Sequence, residues 1–196
     1  MVRRRKPGAH QDESLLDRTW HLAQTPLEVD VTEIEYALMR SFEAFGRWQA
    51  ECLASVADIS ATGPENALLH IIRMNDRPKS VRDLAQMTNR QDIPNIQYSL
   101  RKLIKDKMIV RSGSGRSGVT YEVTELGRSV TDRFAAVRKS LLIEAVKRVP
   151  DLEKRLEDAA HTLEFMTGIY EEAARTAATH RRRPGHFAAV APLKPG

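Results

Sequence analysis

The feature that most constrains this chain is a change of hydrophobic period within one short stretch. After Ser80, the residues Val81, Leu84 and Ala85 make a short helix, and the polar stretch 88–92 supplies a turn. Beyond it Ile93, Ile96, Leu100, Leu103 and Ile104 recur at helical spacing and bury one face of a second helix. The opposite face keeps Asn95, Gln97, Tyr98, Arg101, Lys102 and Lys105. The period then becomes alternating: residues 109–112 read as a strand, and Val119, Tyr121 and Val123 as another, with Gly113, Gly115 and Gly118 in the loop between them. Helix, turn, helix and hairpin in this order predict a winged helix-turn-helix. The fold class expected is mainly α with a small β-hairpin wing.

The flanking segments are helical by their start signals. Thr32 with Glu35, Thr62 with Glu65, and Ser80 with Asp83 each have the spacing of a capping box. The first opens a long helix whose apolar stripe is Ile34, Leu38, Phe42, Phe45, Trp48 or Gln49, Cys52, Val56 and Ile59. The second opens a helix over 64–74 with Ala67, Leu68, Ile71 and Ile72 inward, ended by Asn75, Asp76, Arg77 and Pro78. After the hairpin, Thr124, Glu125 and Leu126 start a long helix with Val130, Phe134, Val137, Leu141, Leu142 and Ala145 on its apolar side, interrupted at Val149 and Pro150. The last helix repeats Leu152, Leu156, Ala159, Leu163, Met166, Tyr170, Ala173 and Ala177 at alternating intervals of four and three, the period of a seam against another helix. Pairing with a second copy about a two-fold axis is the commonest way to cover such faces; the alternative is that the first and last helices cover each other within one chain. The expected organisation is a basic extension over 1–25, in which Leu15, Leu16, Trp20 and Leu22 can form a docking helix. A helical dimerisation region covers 26–60 and 125–179, the winged helix-turn-helix covers 61–124, and a basic disordered tail covers 180–196.

Charge is polarised along the chain. The net +5 comprises a strongly acidic run at 12–76 and a basic run at 77–118, where ten cationic residues face three acidic ones, with further basic residues at both ends. A basic segment attracts polyanions by releasing their condensed counterions, and an acidic remainder limits indiscriminate binding. No run approaches the ~20 apolar residues of a membrane span, and no secretory leader follows Met1. A cytoplasmic protein is expected. Cys52 is the sole cysteine, which excludes an intrachain disulfide and a thiolate metal cluster.

A major groove roughly 12 Å wide admits one helix, so residues 93–106 are the candidate recognition helix on double-stranded DNA. Asn95 and Gln97 suit adenine edges, Arg101 suits guanine or phosphate, and Tyr98 suits phosphate or a sugar face. Arg116, alone among glycine and serine in the hairpin loop, can enter a narrow minor groove. Arg90, Lys102, Lys105, Lys107 and Arg111 are candidate phosphate contacts.

The stretch DLAQM, followed by IPNIQYSLRKLIKDKMIVRSGSGRSGVTYEVTELG, resembles the MarR family of bacterial regulators, and the resemblance runs from about Val31 to Ala177. The closing TELG is similar to that family's Leu-Thr-x-x-Gly helix start. In place of the family's Asp-x-Arg, this wing has Ser-Gly-Arg-Ser, and the turn at 89–92 is long. The resemblance implies a dimer held by the first and last helices, an inverted-repeat operator, and release by a small aromatic or phenolic effector. It also implies an effector pocket between the dimer helices and the DNA-binding lobe, for which Trp48, His70, Arg73 and Met74 are candidate lining residues, with Arg73 able to hold a carboxylate.

Other chemistry finds little support. Gly113, Gly115 and Gly118 match G-x-G-x-x-G, but a strand follows where a dinucleotide site needs a helix. No two of the six histidines lie one helical turn apart, and no nucleophile accompanies the carboxylates. Neither enzyme activity nor a cofactor is expected. Cys52, on an apolar stripe without a cation one turn away, reads as an inert buried thiol rather than a redox sensor. The functional alternative to a DNA-binding repressor is a winged-helix module holding an acidic protein partner.

Overall fold

The computed structural model describes residues 21–59, 62–114 and 118–180. They fall into two compact units that divide between Ala136 and Val137. The first unit contains α1 (Pro26–Ala54), α2 (Gly63–Arg73), β1 (Lys79–Ser80), α3 (Val81–Met87), α4 (Ile93–Lys105), β2 (Ile109–Ser112), β3 (Thr120–Val123) and most of α5 (Glu125–Arg138). The second contains a π-helical turn at Lys139–Ile143, α6 (Glu144–Lys147) and α7 (Leu152–Thr179).

Two of the three expected capping boxes close as read. Thr62 donates through its backbone N–H and its hydroxyl to Glu65 Oε2, both at 2.6 Å, and opens α2. Ser80 donates in the same way to Asp83 Oδ2 at 2.8 Å and opens α3. The third expectation is corrected. α1 begins seven residues earlier, where Thr25 and Glu28 form the box and Pro26 takes the first-turn position that needs no N–H donor. Thr32 lies inside the helix, and its hydroxyl donates back to Glu28 O at 2.7 Å.

The core of the first unit is built from the expected faces. Leu68, Leu69 and Ile72 of α2, Leu84 of α3, Ile96, Leu100 and Leu103 of α4, Ile109 of β2, and Val130 and Phe134 of α5 are buried, with Cys52 and Leu53 from the end of α1. Each such aliphatic side chain contributes about 1.5–3 kcal/mol through burial. Leu69 joins the inward set, whereas Ala67 and Ile71 are only half-buried. Ile93, expected inside, is exposed.

The hairpin is antiparallel, with Ile109 opposite Val123 and Ser112 opposite Thr120. A third strand joins it, because β1 pairs with β3 through Lys79–Tyr121 and Ser80–Thr120, giving the order β1-β3-β2. Lys79 is buried, and its ammonium donates to the carbonyls of Ile72 (3.1 Å), Met74 (2.5 Å) and Arg77 (3.0 Å). These include orphan carbonyls at the end of α2, so the lysine stops that helix and fastens the short strand beside it. Burial pushes its pKa below the ordinary lysine value.

The TELG sequence docks α5 on the start of the wing. Thr124 donates through its N–H to Met108 O (3.0 Å) and through its hydroxyl to Lys107 O (2.7 Å), and that hydroxyl accepts from Gly127 N–H (3.0 Å). A Cβ on Gly127 would lie 2.2 Å from Met108 O, closer than any side chain can approach.

Candidate nucleic-acid interface

Packing of α4 leaves one stripe uncovered. Ile96, Ser99, Leu100 and Leu103 face the core, while Asp92, Asn95, Gln97, Tyr98, Arg101 and Lys105 are exposed. Asp92, Asn95, Tyr98, Arg101 and Lys105 follow one another at intervals of three or four residues, so they line up along one side of the helix. The guanidinium of Arg101 and the ammonium of Lys102 lie 6.0 and 5.9 Å from the centre of the Tyr98 ring. Among the described residues, Arg101, Lys105, Lys107 and Arg111 form no ion pair. Arg111 is exposed on β2, and Lys107 is exposed in a left-handed turn (φ 58°) after α4.

Three expected contacts stand differently. Lys102, read as a phosphate contact, turns back from the stripe and pairs with Glu65 Oε2 at 3.1 Å. Glu65 is buried at the start of α2 and also accepts from Ser99 Oγ at 3.4 Å. Burial pushes the Glu65 pKa up, but the Thr62 donors and the Lys102 ammonium outweigh it and hold the carboxyl below its usual range. Arg90 is engaged by Asp92 through two hydrogen bonds, Nε to Oδ1 at 2.8 Å and a terminal nitrogen to Oδ2 at 2.7 Å. Asn95 Nδ2 donates to the same Oδ2 at 3.1 Å. Arg116 lies outside the described residues.

Two of the expected effector-lining residues make contacts within the first unit. Arg73 donates to Arg128 O (2.7 Å) and Thr131 Oγ1 (2.5 Å) and pairs with Asp132 (2.9 Å), so its guanidinium fastens α2 to α5. The His70 ring packs on Phe134 with centroids 4.5 Å apart. Met74 is exposed and Trp48 is half-buried. A 430 Å³ hollow between Val56, Met108, Leu126 and Arg133 is lined by other side chains. No spacing rule marks Asp92 as a partner of Arg90, and the box at Thr62 accounts for Glu65 without Lys102. Asp92 was nevertheless marked by being one of just three acidic residues in the basic run.

Residues 62–127 match the family of winged helix DNA-binding domains. The match covers 66 of the chain's 196 residues. It extends from the α2 box through α4 and the hairpin to Gly127, the segment that holds the exposed stripe. No curated protein matches the sequence. Among solved structures, the fold resembles that of MarR from Staphylococcus aureus in complex with salicylate and kanamycin. The TM-score is 0.60 at 13% identity, over 74% of this chain and 95% of that one. A MarR family transcriptional regulator from Silicibacter pomeroyi gives 0.57 at 19% identity, over 76% and 99%. A cysteine-to-serine mutant of MarR from E. coli, complexed with operator DNA, gives 0.56 at 17% identity, over 71% and 99%. The described residues thus share the fold of these MarR structures. Among the described residues no helix is long and apolar enough to cross a membrane.

Proposed function

We propose that this chain is a sequence-specific transcriptional repressor of the MarR type, acting in the cytoplasm as a homodimer on an inverted-repeat operator. The observation that carries the proposal is the exposed stripe of α4, where amide, phenol and cationic side chains stand clear of a packed apolar face. Such a helix presents hydrogen-bonding groups to base edges, and Arg101, Lys105, Lys107 and Arg111 supply cations for the phosphates beside them. Dimerisation is supported by apolar side chains that are exposed among the described residues. On α1 these include Met39, Phe42 and Phe45, with Phe42 74% exposed; on α7 they include Leu156, Leu163, Phe165 and Ile169. A two-fold pair spaces its recognition helices to match half-sites about one helical turn apart, which is why the operator is expected to be an inverted repeat.

Release by a small aromatic effector is part of the same reading and rests on the likeness to a regulator solved with salicylate. The test is a footprint on the DNA upstream of the chain's own gene, repeated with salicylate as the probe ligand. A protected palindrome whose binding falls steeply with salt is the expected result, with weaker protection when salicylate is added. Absence of protection at any salt concentration would overturn the DNA reading, and protection that salicylate leaves unchanged would overturn its use as the effector.

A further inference from the structure

Asp92 precedes the first residue of α4, on the same stripe as Asn95, Tyr98 and Arg101. An aspartate at that position ordinarily turns inward and accepts from the N–H groups of the first turn. Here its side chain makes no such bond, and the nearby donors find carbonyls instead: Ile93 N–H donates to Gln91 O (3.0 Å), and Asn95 and Ile96 N–H donate to Asp92 O (3.0 and 3.2 Å). Both carboxylate oxygens are thereby free to be directed outward, where they accept two bonds from Arg90 and one from Asn95. The edge of Arg90 that grips the carboxylate is the edge a guanidinium uses on a phosphate or a guanine.

Resting on the reading of α4 as a recognition helix, we infer that Asp92 sets specificity by standing in for a DNA phosphate. Its carboxylate occupies Arg90 and Asn95 and repels the backbone, so a duplex engages these two residues only where a matching base edge or a well-placed phosphate displaces it. Non-specific DNA supplies phosphates in no particular register and leaves the cluster closed. A correct half-site opens it. The two donors hold the Asp92 carboxyl well below the ordinary carboxylate range, so the competing charge is present at any pH at which the protein binds DNA. Of the other acidic residues in the basic run, Asp83 closes the capping box of α3 by accepting from Ser80, and Asp106 lies at the far end of α4.

The experiment measures affinity and salt dependence of the full chain on its footprinted operator and on a scrambled duplex, for wild type, Asp92→Asn and the double variant Arg90→Gln with Asp92→Asn. Thermal melting of each variant establishes that it is folded. For Asp92→Asn, binding to the scrambled duplex should tighten by about threefold to tenfold per subunit, and its salt slope should steepen by about 0.9 per subunit, the mark of one added phosphate contact. Operator affinity should gain less, so the ratio between the two duplexes falls. In the double variant the extra slope should disappear. Three results overturn the inference while leaving the DNA reading intact: unchanged scrambled-duplex affinity in Asp92→Asn, weaker binding to both duplexes, or a gain that persists without Arg90 and so reflects net charge alone. Failure of the wild type to bind any duplex overturns the DNA reading and this inference with it.

Discussion

Lys102 and Lys105 lie on the same helix with the same charge, and the structure predicts that their loss will be felt in different measurements. The Lys102 ammonium is 3.1 Å from Glu65 Oε2, whose side chain is 5% exposed. At an effective dielectric near 20, a pair at this distance attracts by about 5 kcal/mol. Desolvating Glu65 and ordering the long lysine stem offset much of that. Removing one partner of a fully buried pair costs about 3–5 kcal/mol. Here Lys102 keeps partial access to water, and Glu65 keeps its two bonds from Thr62, so Lys102→Ala should cost about 2 kcal/mol. For a chain of this size that is a fall in Tm of about 4–8 °C. The stabilisation depends on pH with a definite sign. Because the folded Glu65 pKa is lowered, its contribution is fully present above the unfolded value of about 4.3 and is lost as pH falls through the folded value. The gap between wild type and Lys102→Ala should therefore narrow in acid. Lys105→Ala, exposed and without an ion pair among the described residues, should leave Tm unchanged and reduce the salt slope of DNA binding by about 0.9 per subunit. Thermal melts from pH 3 to 8, paired with salt titrations of binding, separate the two cases. If Lys102→Ala melts like wild type and loses one phosphate contact, Lys102 works on DNA and the argument from its pairing fails.

Arg116→Ala should weaken operator binding by about 1–3 kcal/mol, since a wing arginine in the minor groove reads its width and potential; an unchanged band shift would remove Arg116 from the interface. Gly127→Ala should lower stability by about 3 kcal/mol, because the new methyl meets Met108 O at 2.2 Å and must push α5 off the wing; a wild-type melting temperature would contradict that docking. Phe42→Lys should convert a dimer to a monomer in light scattering, and an unaltered mass would exclude the exposed face of α1 from the dimer contact. Cys52 is buried, its Sγ lies 4.0 Å from Phe134 O, and burial pushes its pKa up. It should resist a disulfide-exchange reagent at neutral pH until the chain is unfolded, and rapid labelling of the native protein would count against an inert role.

Local chemistry makes much of the winged helix legible in the sequence. Two boxes, a polar turn and a shift from helical to alternating period each act over a few residues, so Thr62, Ser80, the buried Ile96, Leu100 and Leu103 of α4 and the two strands of the hairpin could be read directly. The start of α1 misled because two candidate boxes lie seven residues apart, and only the earlier one has Pro26 behind its cap. A strand of two residues offers no alternation to detect, so β1 was invisible. The π-helical turn at Lys139–Ile143 shifts the backbone register without breaking a pattern of Leu and Ile. Long-range pairing is the larger gap. Glu65 and Lys102 are 37 positions apart, and Arg73 meets Asp132 from 59 away, distances over which no spacing rule operates.

That gap changes what the basic run means. Ten cations between residues 77 and 118 read as a uniform attraction for a polyanion, but folding divides them. Lys79 is sealed among carbonyls, Lys102 answers Glu65, and Arg90 answers Asp92. Among the described residues of the run, Arg77, Arg82, Arg101, Lys105, Lys107 and Arg111 are exposed and form no ion pair. Specificity rises when non-specific attraction is held down while base-reading groups stay in place. On the proposed DNA reading, Glu65 and Asp92, which occupy Lys102, Arg90 and Asn95, would do this within the fold and leave the surface less cationic than its composition suggests.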